Sequence, residues 1–505
     1  MTAVSDLQRL RSHRIKLGFG VALASRVFKL GAALVMTGAI IRRLGDVSFG
    51  LIALAAAAFE LVTAFDLAIH ELVTFEVAST DTRDDLEHRL SQALWTSLVP
   101  GLGGALVLAG LAALAGLELT RATVGHGLEI RSLVLVFAVT YPFTMVASVY
   151  TGNLLGFGYV SELNAVLVAG VLLDVAIVLL GLHAGLGLVA LQWARGAATV
   201  LQPFILYAVV RARGLPTPRL RRPQPASLKR MLRFGVGYST SKALGDIEYA
   251  CDIPIAQFFV GPAALAGYAA ADQWAGKLYR FSHVLFESLY PRLVRCFRAA
   301  ASAEERARGA SLYVAANLFV VAVVVPAAVG LVALGPWLFQ VWLGQDRGPG
   351  LDLLPWLAAS WALNAVGSPS SCVILASGKF RQTVIPHLIA VALNVVGDVV
   401  LGSLYGMSGV VVATAVSNAL LTLMLMRAGA ALSGVGSGAL AMWTLPPILA
   451  GTACVAAARA WGMATGWGPA LTMAALITAV SAALASRSPD VRRAWAAMRS
   501  PTAQL

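Results

Sequence analysis

Residues 155–191 read LGFGYVSELNAVLVAGVLLDVAIVLLGLHAGLGLVAL, and residues 375–413 read LASGKFRQTVIPHLIAVALNVVGDVVLGSLYGMSGVVVA. Each is a glycine turn, a long apolar run, a second glycine turn and the start of another apolar run. A helix needs roughly 20 apolar residues to cross the hydrocarbon core of a bilayer. Gly158 aligns with Gly378 and Asp174 with Asn394, each 220 residues apart, and Gly187 aligns with Gly409 at an offset of 222. An earlier stretch repeats as well: LGDVSFGLIALAAA at 44–57 parallels VGPAALAGYAAADQ at 260–273, with Gly50 on Gly267. The chain therefore holds two copies of one helical unit, parallel because an even number of spans separates them. Parallel repeats of this kind mark transporters, with the substrate path where the two copies meet.

Composition points the same way. Of 505 residues 58% are hydrophobic and only 12% charged, with a mean hydropathy of +0.77, which excludes an ordinary soluble domain. The apolar runs are continuous rather than alternating, so helices and not barrel strands satisfy the backbone in lipid. Fourteen spans are expected, at about 17–41, 48–70, 92–116, 132–155, 161–181, 187–210, 234–259, 263–286, 311–334, 353–376, 383–403, 408–428, 440–461 and 467–486. They group into a first lobe (1–210, spans 1–6), a basic linker (211–233, RARGLPTPRLRRPQPASLKRMLR), a second lobe (234–430, spans 7–12), and two extra spans with a tail (431–505). The basic stretch 7–16 leads into a span without a small-residue cleavage site, and reads as a retained first span. Four scattered cysteines, Cys251, Cys296, Cys372 and Cys454, show neither metal-ligand spacing nor a disulfide framework.

The formal net charge of +13 is a matter of topology. With both termini in the cytoplasm, 26 Lys and Arg fall on that side and 6 on the other. This positive-inside bias orients the chain without calling for a nucleic-acid partner.

An Arg-x-Leu-Gly turn after span 1 (Arg42-Arg43-Leu44-Gly45) is followed by Phe49-Gly50-Leu51. Leu232-Arg233-Phe234-Gly235 opens span 7, then come Asp252, Val260-Gly261 and Gly267-Tyr268-Ala269-Ala270, and Tyr290-Pro291-Arg292 closes span 8. In their order and spacing these residues resemble the multidrug/oligosaccharidyl-lipid/polysaccharide superfamily, and within it the polysaccharide-exporting, Wzx-type flippases. The resemblance covers nearly the whole chain, and departs from the pattern in the acidic stretch EVASTDTRDDLEH after span 2. It implies an all-α membrane protein of two six-helix lobes plus two helices, in a bacterial inner membrane. It further implies outward movement of undecaprenyl-diphosphate-linked oligosaccharide by alternating access, through a cavity lined by spans 1, 2, 7 and 8. Membrane lipids and the glycan-polymerising machinery are the expected partners, and no cofactor is expected beyond coupling to protons, sodium or membrane potential.

Such a lipid carries a diphosphate through a low-dielectric region, so cations inside spans are the first candidates. A charge at the bilayer centre costs about 2.5–3.5 kcal/mol on insertion scales, and faces a cavity or a partner. Arg26 and Lys29 in span 1, Lys242 in span 7, and Gln273, Lys277 and Arg280 in span 8 are the expected substrate-binding residues. Lys277 and Arg280, three apart, share a helical face. Arg26 is equally readable as a snorkelling side chain. Arg195 and Asp174 sit at one depth on adjacent helices and read as a structural pair. Asp66, Asp252 and Asp272 are candidates for ion coupling, with separately hydrogen-bonded carboxylates as the alternative. Glu60 with Lys29, and Glu248 with Lys277, occupy matched depths in the two copies and read as gating or salt-bridge pairs. His283 and Glu287, one turn apart, are a further gate candidate, and Pro142, Pro254, Pro326 and Pro355 are hinge candidates. Two other functions stay open: a multidrug or cation antiporter of the same fold, and a membrane glycan polymerase or ligase. The outer loops, at most about 20 residues with no paired-carboxylate motif, disfavour the enzyme.

Overall fold

In a computed structural model of the chain, the described residues are 15–80, 82–219, 222–297, 302–344, 348–379 and 381–436. The expected spans 440–461 and 467–486 lie outside them. Among the described residues every regular element is an α-helix: α1 (Ile15–Thr63), α2 (Ile69–Ser79), α3 (Arg83–Ala115), α4 (Gly127–Gly156), α5 (Val160–His183), α6 (Leu188–Ala212), α7 (Pro225–Ala250), α8 (Asp252–Ala256), α9 (Pro262–Phe297), α10 (Ala303–Leu343), α11 (Gly348–Ala376), α12 (Arg381–Tyr405) and α13 (Met407–Ser433). They gather into two compact units that divide between Ala266 and Gly267. Among the described residues eight helices, α1, α3, α4, α5, α6, α10, α12 and α13, are long and apolar enough to cross a membrane. α7 and α9 have the length, at 26 and 36 residues, but carry the candidate charges in their sequences.

The outward apolar faces explain themselves only in lipid. Leu172, Leu173, Leu179 and Leu180 on α5 are exposed, and so are Leu388, Val396, Val399 and Leu404 on α12. Exposed apolar surface this extensive does not face water. Each unit keeps its own core. In the first, Leu72, Leu90, Tyr150, Phe157 and Leu206 are buried together, and Tyr313, Val320, Val324, Val366 and Val373 are in the second.

α1 runs through two expected spans and breaks at Gly45, whose φ of 82° and ψ of 173° suit a residue without Cβ. Span 2 differs from expectation. Its helix stops at Thr63 rather than 70, the chain turns through 64–68, and α2 then forms where a loop was expected. The Asp66 carboxylate accepts the Ala68 amide at 2.8 Å. Leu67 and Ala68 take left-handed φ values of 58° and 49°. Tyr141 donates its hydroxyl to the Val62 carbonyl at 3.3 Å, which also accepts the Phe65 amide at 3.2 Å in the turn. The residues after the break are apolar (Leu67, Ala68, Ile69), so hydropathy runs through it unmarked. Of the prolines read as hinges, Pro254 lies beside a break, since α7 ends at Ala250 and α8 restarts at Asp252. Pro142, Pro326 and Pro355 lie within the continuous helices α4, α10 and α11.

The repeat is reproduced in the backbone. Gly158 and Gly378 both adopt left-handed φ, 79° and 72°. The hydrogen bonds around them correspond: Tyr159 N to Leu154 O and Gly158 N to Leu155 O in one copy, Lys379 N to Ile374 O and Gly378 N to Leu375 O in the other. The ends of α6 and α13 match too, with Leu215 N donating to Val210 O and Val435 N to Ala430 O.

Candidate functional site

In the second unit, α9 sets out Asp272, Gln273, Lys277 and Arg280 along two turns. Asp272, Gln273 and Lys277 are half-buried and Arg280 is exposed. Trp361 of α11 donates its indole N–H to Asp272 Oδ1 at 2.6 Å. The same indole lies over Gly276, 3.6 Å from where a Cβ would stand, and Tyr279 packs 5.5 Å from it. Asp272 and Arg280 are the charged neighbours of Lys277. Among the described residues neither Lys277 nor Arg280 forms an ion pair. The α9 face thus presents two positive groups beside a carboxylate already held by an indole N–H.

In the first unit, Arg26 is exposed on α1 and Lys29, three residues on, is half-buried beside it. Lys29 makes no ion pair among the described residues. Glu60 is exposed on the second half of α1, and its backbone carbonyl accepts the Thr63 hydroxyl at 2.8 Å. On α7, Glu248 is fully buried and neither carboxylate oxygen has a hydrogen-bond partner among the described residues. Asp252, also buried, is its charged neighbour, with the Cys251 thiol 3.9 Å from Oδ1. The side chains of Lys242, His283 and Glu287 lie outside the described residues.

The expected Arg195–Asp174 pair is present and two-pronged, with Nε at 2.7 Å from Oδ1 and Nη2 at 3.0 Å from Oδ2. Gln192 accepts a third hydrogen bond from Arg195 at 3.2 Å. The matching place in the second unit holds a cluster that sequence reasoning passed over. Asn394 Nδ2 donates to Asp398 Oδ2 at 3.0 Å and lies 3.5 Å from the Thr414 hydroxyl, which donates to the Val410 carbonyl at 3.0 Å. Asp398 and Asn394 are both fully buried. The available signal was the i,i+4 spacing of Asp398 from Asn394, a residue already singled out as the counterpart of Asp174. A hidden carboxylate beside a carboxamide and a hydroxyl is chemistry that can hold a proton or a hard cation.

Residues 15–297 match the model of a family described as polysaccharide biosynthesis proteins. No curated protein matches the chain. Among solved structures, the lipid II flippase MurJ in an inward closed conformation is 12% identical, with a TM-score of 0.71 over 93% of this chain and 98% of that one. An inward-facing multidrug-resistance transporter of the MATE family, in the MOP superfamily, is 15% identical, with a TM-score of 0.55 over 87% and 99% of the two chains. A MOP superfamily transporter from Pyrococcus furiosus, described as having a binding pocket of reverse polarity, is 16% identical with a TM-score of 0.52, covering 85% and 98%. Likenesses at this identity establish the fold alone, the multi-pass all-helical fold that these three structures share.

Proposed function

Because the chain belongs to the family of polysaccharide biosynthesis proteins, we propose that it flips undecaprenyl-diphosphate-linked oligosaccharide from the cytoplasmic to the outer leaflet of a bacterial inner membrane. It does so as a transporter and not an enzyme, by alternating access between two lobes built from the repeats. Both termini are cytoplasmic, and surface-glycan polymerising enzymes take up the product. The observation that carries this reading is the pair Lys277 and Arg280, set on one face of α9 and free of ion pairs among the described residues. Cations are expensive inside a bilayer unless something negative meets them, and a diphosphate has the charge and the oxygens to do so. Arg26 and Lys29 on α1 serve the same end, and Lys242 belongs with them by its position on α7.

Transport in one direction needs a driving ion. Asp398 with Asn394 and Thr414, the buried carboxylates Glu248 and Asp252, Asp272 under Trp361, and Asp66 at the helix break are the places where a proton or sodium ion is stabilised in one state and released in the other. His283 and Glu287, at the cytoplasmic end of the expected span 8, gate that side. Two variants test the reading. Lys277→Ala and Arg280→Ala should each abolish glycan export while the protein still inserts and elutes as a single folded species in detergent. Normal export by both would remove the α9 face from the substrate path. Drug resistance conferred by the wild type, with no effect on glycan export, would replace the reading with the antiporter.

A further inference from the structure

The two copies of the repeat part company at the starts of α5 and α12. In the second unit, Arg381, Gln382, Ile385 and Pro386 of α12 line a groove of about 450 Å³, with Ala428 of α13 as the facing wall. Lys379 and Arg381 are exposed at this end, and so is Arg427, the residue before Ala428. None of the three forms an ion pair among the described residues. Across α12 and α13 the one carboxylate is Asp398, about 25 Å along the helix from Arg381. Uncompensated positive charge therefore collects at the mouth of the groove.

The first turn of α12 adds to this. The leading amides of a helix have no acceptor within it and form the positive end of its dipole. Thr383, beside the lining Gln382, is 4% exposed, and its hydroxyl has no hydrogen-bond partner among the described residues. Further along, the surface turns apolar. Ile385, Leu388, Ile389, Val396 and Val399 are all exposed and follow one stripe of α12 at helical spacing. Cations at one end of an apolar stripe match an amphiphile with a negative head.

The first copy lacks these parts. At the offset of 220, Ser161, Glu162 and Leu163 stand in the places of Arg381, Gln382 and Thr383. Glu162 is paired with Arg213 at 3.1 Å, and Leu163 is buried in the first unit's core. Leu206, at the place of Ala428 by the offset of 222, is fully buried as well. The cationic groove belongs to the second copy and is not a by-product of the shared fold.

We propose that the α12–α13 hairpin carries a site for one anionic glycerophospholipid of the surrounding membrane. Its phosphate sits at the first turn of α12 beside Arg381 and Arg427, and an acyl chain follows Ile385. In the orientation expected from the loops, this is the cytoplasmic leaflet. The site requires only that the hairpin lies in a bilayer, so it stands apart from the flippase reading.

The test is native mass spectrometry of the full-length protein in detergent, titrated with phosphatidylglycerol or with phosphatidylcholine of the same acyl chains. The wild type should take up one phosphatidylglycerol about tenfold more tightly than phosphatidylcholine. Arg381→Gln with Arg427→Gln should erase that preference and leave phosphatidylcholine binding unchanged, whereas Arg381→Lys with Arg427→Lys should keep it. Ser161→Ala, at the matching place in the first copy, should bind as the wild type does. Equal binding of the two lipids by the wild type, or a preference untouched by the glutamine pair, overturns the site. Displacement of phosphatidylglycerol by an equal concentration of undecaprenyl phosphate would give the groove to the transported lipid, and displacement by glycerol 3-phosphate would reduce it to a plain anion site. Either result overturns the proposal. None of these readouts involves glycan export, so this site and the flippase reading fail separately.

Discussion

Arg195 grips Asp174 through two guanidinium nitrogens, and each side chain is about a quarter exposed (24% and 26%). Removing one partner of such a pair leaves the other charge stranded in apolar surroundings, at a cost of 3–5 kcal/mol when burial is complete. Partial exposure reduces this, and Arg195→Gln should destabilise the protein by about 2 kcal/mol, with Asp174→Asn added to it recovering most of the loss. Thermal unfolding in detergent measures both, and equal loss from the single and double variants would show that the pair contributes little. In the second copy, Thr414 and Ser417 stand at the offsets of Gln192 and Arg195, so hydroxyls replace the carboxamide and the guanidinium at those places. Asp398→Asn should therefore stop ion-driven export without lowering the unfolding temperature, and unchanged export would remove Asp398 from the coupling path. Asp174 and Arg195 were legible because depth along adjacent helices can be counted from a turn. Asp398 was not, because a span reading totals the charges in a run without saying which face turns inward. Lys277 and Arg280 were legible as neighbours on a face, whereas the indole that holds Asp272 arrives from α11, 89 residues away.

At the scale of elements, the glycine turns carry the repeat. Gly158 and Gly378 close the turns that lead into α5 and α12, with φ of 79° and 72°. A side chain in that conformation sets Cβ against the carbonyl and costs roughly 1–2 kcal/mol. Gly158→Ala and Gly378→Ala should each lower stability by about that amount, and by similar amounts, whereas Gly187→Ala should be nearly silent. Gly187 has an ordinary φ of −71° and open space where a Cβ would stand. Unequal losses at the two turns, or a comparable loss at Gly187, would break the equivalence of the copies. Aligned glycines were visible in the sequence because the turn tolerates little else. The break in span 2 was not visible, because what stops the helix at Thr63 is the Asp66 carboxylate bonding its own backbone and a tyrosine hydroxyl from α4. Neither leaves a mark in hydropathy.

For the whole molecule, the bilayer did most of the selecting. Lipid leaves helices as the open solution for continuous apolar runs, so an all-helical membrane protein was legible from composition and repeat alone. The tie between the linker and α3 was not legible, because Gln92 bonds the Arg222 carbonyl and the Gln224 amide, backbone groups that every sequence has. The acidic stretch does not alter the expected orientation. Glu76, Asp85 and Glu87 are paired with Arg83, Arg89, Arg219 and Arg230, yet acids weigh little in setting topology, so the excess of Lys and Arg still predicts cytoplasmic termini. Sidedness can then be tested at two exposed positions. Val124, in the loop between α3 and α4, is 62% exposed, and Arg222 lies exposed in the linker at the opposite end of α3. A membrane-impermeant maleimide should label Val124→Cys in whole cells and Arg222→Cys in everted vesicles, with little labelling the other way round. The reverse pattern would invert the topology, put the linker and the acidic stretch on the outside, and turn the direction of flipping against the proposed route.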